Sequence, residues 1–279
     1  MKKIYFIFCL VSLISFSGNT QTLISSDRSY SPNKYIAVEL DQFEQVFFYD
    51  YTYLRIPDNP SSKESSLTML QVGDNYSKFT DYFKSKLDSV KEAHSHLKRL
   101  GSKEINEQLS YKKKIGFKPS VINDFDESKF IIQARIPSND YEYTIDEPEL
   151  QWELTSSFKS ILSYRVQKAT VSYAGRNWVA WFTESIPINK GPYIFGDLPG
   201  LILELYDQDK NFHFVISGIN GSAGSIYKRN EEKILKISEK EYLRLNKSFH
   251  EKPGVFVKSP SNFKSDLEEL PYNPIELDK

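Results

Sequence analysis

Residues 163–218 read SYRVQKATVSYAGRNWVAWFTESIPINKGPYIFGDLPGLILELYDQDKNFHFVISG, and the fold is decided here. The segment holds four short β-type runs separated by turn chemistry. Residues 163–173 alternate small and polar residues with Tyr, Val and Thr, and Ala174-Gly175-Arg176 turns the chain into residues 177–183, which predicts a hairpin. The second run sets Trp178, Ala180 and Phe182 on one side and Val179 and Trp181 on the other. Both faces are apolar, so this strand is either sandwiched in a core or has one face on a ligand cavity. Residues 187–200 follow as a shaped loop. Pro187, Pro192 and Pro199 fix φ, while Gly191, Gly196 and Gly200 permit conformations closed to other residues. Residues 201–206 and 212–216, joined by the polar bend at 207–211, read as a second hairpin. Glu204 is the one acid in that strong strand and reads as an outward-facing residue.

These residues carry a resemblance. QKAT at 167–170, Gly175-Arg176, WVAWFTESIPIN at 178–189 and GPYIFGDLPGLILEL at 191–205 resemble the signature block of the GLPGLI family, secreted proteins of Bacteroidota. The motif positions are Gly191, Pro192, Phe195, Gly196, Leu198, Pro199, Gly200, Leu201 and Ile202. Asp197 stands where the name-giving glycine usually is, and Val166 replaces a common cysteine. Tyr76-Ser77-Lys78-Phe79 and Asn273-Pro274-Ile275-Glu276-Leu277 resemble the family's upstream SKF element and its C-terminal ending. The resemblance implies a secreted or envelope-associated protein and no defined activity.

Outward from the signature, 279 residues with 39% hydrophobic and 14% aromatic content can bury a proper core. Lys plus Arg number 36 against 37 Asp plus Glu, so no net field argues for nucleic acid, and Lys112-Lys113-Lys114 reads as solvated surface. Residues 1–20 match a secretory signal: Lys2 and Lys3, an apolar run over 4–14, and a small polar cleavage region. Cleavage falls after Ser17 or after Thr20, the latter leaving Gln21 first. The apolar run is too short for a permanent span, and Cys9 lies too near the start for a lipobox, so the reading is a soluble exported protein, periplasmic or extracellular, with no transmembrane anchor. Losing the leader takes the formal charge from −1 to −3 and removes the sole cysteine, which excludes thiol chemistry from the mature chain.

Residues 35–40 and 42–55 read as strands that open the sheet, 57–66 as a loop and 66–72 as a strand. Phe83, Leu87, Val90, Ala93, Leu97 and Leu100 then recur at helical spacing, with Asp81 or Thr80 as cap and Gly101 just past the end. His94 and His96, two apart, point to different sides of that helix and share no metal. Residues 103–126 read as charged and irregular; their acids lack the pattern of a Ca²⁺ loop. Residues 130–136, 141–145 and 150–154 add strands, and Asp146-Glu147-Pro148-Glu149 is an acidic turn. The glycines at 221–225 match neither a dinucleotide fingerprint nor a P-loop, and no G-x-S-x-G elbow is present. Ser238-Glu239-Lys240-Glu241 is a capping box for a helix to about Phe249.

The fold expected is mainly β, of β-rich α+β type: one curved antiparallel sheet of about ten strands, or a half-barrel, with one or two packed helices, in a single domain over residues 21–255 and a loosely attached surface tail over 256–279. The functional reading is an exported, non-enzymatic binding or carrier protein of the cell envelope, holding an apolar or amphipathic ligand in the concavity, with Arg176, Trp178, Trp181 and Tyr193 as ligand-binding candidates. An alternative is an interaction protein docking to an outer-membrane assembly through residues 191–200. It requires exposed Tyr193, Ile194 and Phe195, where the carrier requires them buried. A third reading is a hydrolase built on His94, His96, His213 or His250. No residue is assigned a catalytic, cofactor or metal-binding role.

Overall fold

A computed structural model describes residues 29–256 and 269–277. The expected leader with Cys9, and residues 257–268 of the expected tail, lie outside the described residues. In chain order the elements are β1 (Ala37–Phe43), β2 (Gln45–Leu54), β3 (Lys63–Val72), β4 (Tyr76–Asp81), α1 (Tyr82–Ser95), α2 (Ser102–Lys112), β5 (Ser120–Asp124), β6 (Lys129–Ile136), β7 (Asn139–Asp146), β8 (Glu153–Ile161), β9 (Tyr164–Tyr173), β10 (Arg176–Thr183), β11 (Leu201–Asp207), β12 (Phe212–Asn220), β13 (Gly224–Arg229), β14 (Leu235–Lys236), α3 (Glu239–Glu251) and the one-turn α4 (Pro253–Phe256).

Twelve strands form one open sheet in the order β14, β7, β6, β5, β4, β3, β2, β12, β11, β10, β9, β8. Every pairing is antiparallel except that of β14 with β7. The sheet is two meanders joined at a seam: β2 to β7 run outward one way in chain order, β12 back to β8 the other, and β2 pairs with β12 between them. Alternation assigns the faces. Phe47, Tyr49 and Tyr51 of β2 are buried in the same core as Leu70, Phe79, Val121, Ile132, Tyr143, Trp178, Leu205 and Phe214. Strands from both halves thus share one core, and the sheet curls around it without closing. Across the seam Tyr51 stacks on Phe214 at 4.5 Å and the Tyr49 hydroxyl donates to the Ile202 carbonyl at 2.8 Å.

The mainly-β architecture with packed helices is as the sequence reads, and both signature hairpins form. Ala174 (φ 47°) and Gly175 (φ 75°) are both left-handed, which gives the β9–β10 turn the twist a two-residue hairpin needs. Three departures have physical causes. First, β1 does not open the main sheet. It pairs with β13, a strand the glycine-rich reading of 221–225 hid, and Phe43 and Ile226 cover Val46 and Met69 on the opposite face of β2 and β3. Second, the helix ends at Ser95, although apolar spacing continues to Leu100. Leu100 instead exchanges both backbone hydrogen bonds with Tyr30 (3.0 and 2.8 Å), which an α-helical residue cannot do. Gly101 then begins a new helix, its N–H donating to the Glu104 carboxylate at 2.9 Å. Third, residues 103–126 contain α2 and β5. α2 carries only Ile105 and Leu109 at helical spacing and buries no residue fully, so its periodic signal is faint.

Asp81 caps α1 as expected, accepting from Phe83 N at 2.8 Å, and Ser238 with Glu241 forms the capping box of α3. α3 lays Tyr242 on Tyr143 at 4.7 Å, closing the β7 side of the core. Leu150 and Trp152 lie ahead of β8 and pack on the core as loop residues.

Candidate functional site

The signature loop fills the concave face. Between β10 and β11 the chain crosses itself: Leu201 N donates to Ile186 O (3.0 Å), Ile202 N to Lys190 O (3.1 Å) and Asp197 N to Asn189 O (3.0 Å). Gly200, at φ 148°, fits where a Cβ would stand 2.0 Å from the Thr183 carbonyl oxygen, so this crossing admits only glycine. Its product is a plug. Tyr193, Ile194, Phe195 and Leu198 are all buried, Tyr193 at 8% and Phe195 at 2% exposure. Phe195 meets Trp178 at 4.6 Å and Tyr173 at 5.8 Å, while Tyr193 meets Phe117 at 6.2 Å. The exposure that docking through this loop requires is therefore absent. Between plug and sheet lies a recess lined in part by Ser77, Asn123, Glu147 and Lys190, with room for about one water molecule.

A strap finishes the closure. Arg176 Nη1 donates to Asp207 Oδ2 (3.0 Å), Nη2 to Asn273 Oδ1 and the Pro274 carbonyl (both 2.8 Å), and Nε to the Ile275 carbonyl (3.0 Å). Glu276 accepts from the hydroxyls of Tyr193 (3.0 Å) and Tyr173 (3.3 Å), and Leu277 N donates to Ala174 O at 2.9 Å. Asn273 Nδ2 reaches the Leu54 carbonyl at 2.6 Å. Where a loosely attached tail is expected, residues 273–277 are hydrogen-bonded into the body. Burial raises the Asp207 carboxyl above its ordinary range, although the Phe212 N–H, Arg176 and Asn211 all favour its charged form. Tyr193 holds a left-handed backbone (φ 61°), uncommon for a bulky residue, and its hydroxyl is driven far above the ordinary phenol range by burial and by Glu276.

The convex face of the second meander has a different character. Glu204 is not a free outward acid. One carboxylate oxygen is 2.8 Å from His213 Nε2 and the other takes the Lys159 ammonium, which also stands 4.3 Å from the centre of the Trp181 ring. His213 sits edge-on to Tyr206 at 5.4 Å. Burial pushes the Glu204 carboxyl up, but the bonds from His213 and Lys159 win and hold it below its ordinary value. The cluster stays partly open to solvent, with the side chains of Lys159 and His213 at 38% and 28% exposure.

The four ligand-binding candidates do not converge. Arg176 and Tyr193 hold the strap, and Trp178, 1% exposed, is core. Trp181 alone faces the convex side. The two-faced apolar character of β10 comes from this split, Trp178, Ala180 and Phe182 going into the core and Trp181 into the convex cluster. The Glu204–His213 pair escaped sequence reasoning because nothing evident by spacing linked them. The signal was the hairpin register, which sets His213 against Tyr206 and Glu204 against Val215, on one face of adjacent strands. Among the described residues no group of three or more His, Cys, Asp or Glu gathers as for a metal, and no helix is long and apolar enough to cross a membrane.

Two crystal forms described as "Structure of PNGF-II", in space groups P21 and C2, resemble this chain with TM-scores of 0.47 and 0.46 at 13% identity. The match takes in 74% of this chain but about a third of those chains, 33% and 32%. Residues 173–204, the heart of the signature, match the family profile described as "Protein of unknown function (Porph_ging)". No curated protein matches the sequence.

Proposed function

We propose that this is an exported, non-enzymatic interaction protein of the cell envelope, which holds a protein partner against the convex face of β9–β12. The observation that carries the reading is the self-filled concavity. Plug and strap occupy the face where a carrier would keep its ligand, and the signature loop faces inward. What remains chemically distinctive on the outside is the half-buried cluster of Trp181, Tyr206, His213, Glu204 and Lys159. Partly exposed tryptophan and tyrosine, here Trp181 and Tyr206, are residue types that protein interfaces favour. The Glu204–His213 pair does not argue for a hydrolase, since Lys159 clamps the second carboxylate oxygen and makes the group an ion-pair staple across the strands.

A photo-crosslinking residue at position 206, with position 113 just past the end of α2 as control, tests the reading in the native envelope. A discrete adduct from 206 and none from 113 is expected. Failure to form one, together with a co-purifying lipid mass in native mass spectrometry, would return the protein to the carrier reading, with a ligand that displaces the plug.

A further inference from the structure

The two edges of the sheet are unequal. One ends in β14, two residues long, and α3 packs beside it on β7. The other ends in β8, nine residues long, with no strand beyond it among the described residues. Long open edges are rare because their free N–H and C=O groups invite pairing. β8 also carries exposed apolar side chains, Leu154 at 54% and Phe158 at 46% exposure. Its sequence, Glu153-Leu154-Thr155-Ser156-Ser157-Phe158-Lys159, is self-complementary when read against itself in reverse. Centred on Ser156, Glu153 opposes Lys159, Leu154 opposes Phe158 and Thr155 opposes Ser157.

We propose that β8 is a homodimer edge: two copies pair antiparallel about a two-fold axis at Ser156, joining their sheets into one. Each copy then sets Glu153 against the partner's Lys159 and Leu154 against the partner's Phe158, twice over by symmetry. Opposite charges and an aliphatic–aromatic pair directly across a ladder are the combinations that stabilise antiparallel strands. Lys159 retains donors beyond the one given to Glu204, since an ammonium has three. The register irregularity between Leu154 and Phe158 confines pairing to two short arms. The assembly closes at two copies, because β8 is consumed in both and the β14 edge is capped. The edge shares Lys159 with the convex cluster, but Glu153, Leu154, Ser156 and Phe158 lie outside that cluster, so variants at these positions test the edge separately.

The test uses the full chain in native mass spectrometry and sedimentation. A reversible dimer at micromolar concentration is expected, at the small end of specific interfaces. Glu153→Lys, which sets Lys against Lys on both arms, raises the dissociation constant about tenfold, and adding Lys159→Glu brings it back. A wild-type monomer at every concentration overturns the proposal, as does a dimer that Glu153→Lys leaves unmoved. Because Lys159 also serves Glu204, a charge-independent variant completes the test. In a Cys9→Ser background, Ser156→Cys should oxidise to a covalent dimer, since the axis passes through residue 156 and brings its two copies together. Phe158→Cys, facing Leu154, should not. Linkage through 158 and not 156 overturns the two-fold at Ser156.

Discussion

Asp197 takes the left-handed backbone at φ 63°, the conformation for which a glycine would be chosen. Aspartate at this position carries the cost of that conformation, which it tolerates better than most residues. Burial and the neighbouring Glu147 also raise the Asp197 carboxyl above its ordinary value, with Lys190 opposing them. Both effects point the same way. Asp197→Gly should raise unfolding free energy by about 0.5–1 kcal/mol, and Asp197→Ala, which keeps the Cβ and loses the local hydrogen-bonding group, should lower it by a similar amount; urea titration separates them. A stability loss in Asp197→Gly would mean that the carboxylate has a role of its own.

Plug and strap are elements held at one residue. Arg176 is the first residue of β10, just past the hairpin turn, yet its four partners lie on β11 and on residues 273–275. Arg176→Ala leaves Asp207 buried without its counter-charge and frees three acceptors of the strap. We expect a loss of about 3–5 kcal/mol in urea unfolding, with amide exchange rising first at Leu277 and around Ala174. Arg176→Lys keeps the charge but not the planar fork, and should recover only part. Adjacent hairpins were legible in the sequence because each is settled by a turn and two alternating runs, as at Ala174-Gly175. The plug was legible as a rigid loop but not as an inward one, since Pro and Gly spacing says nothing of which way Tyr193 and Phe195 face. Arg176 as a strap anchor was invisible for a similar reason: three of its four acceptors lie about a hundred residues away, and two of those are backbone carbonyls. α2 and β13 were missed because their burial comes from partners and not from their own periodicity.

At the scale of the molecule, the face opposite the core buries charge between β4, α1 and β13. Lys78 is 3% exposed, its ammonium donating to the Tyr227 carbonyl at 2.9 Å and standing 3.3 Å from that ring's centre. Burial drives its pKa down to about 7, helped by Lys84 and Arg229 and opposed by Asp88. Its folded value lies below the unfolded 10.5, so between roughly pH 7 and 10.5 the unfolded chain binds a proton that the folded chain does not. Unfolding free energy should therefore rise with pH over that window, by up to about 1.4 kcal/mol per unit from this group. Lys78→Met should make the rise shallower and the protein more stable at neutral pH; denaturant midpoints at several pH values read both effects. The seam between β2 and β12 has its own consequence, for the order in which the molecule assembles. Each meander is a chain of neighbours and can zip from its own turns, whereas residues 45–54 must meet 212–220 across a long loop of chain, at a large cost in closure entropy and a high contact order. Both meanders should acquire protection from exchange before the seam does. The signature core, which Phe214, Tyr51 and the plug complete together, is then the last part of the protein to exclude water.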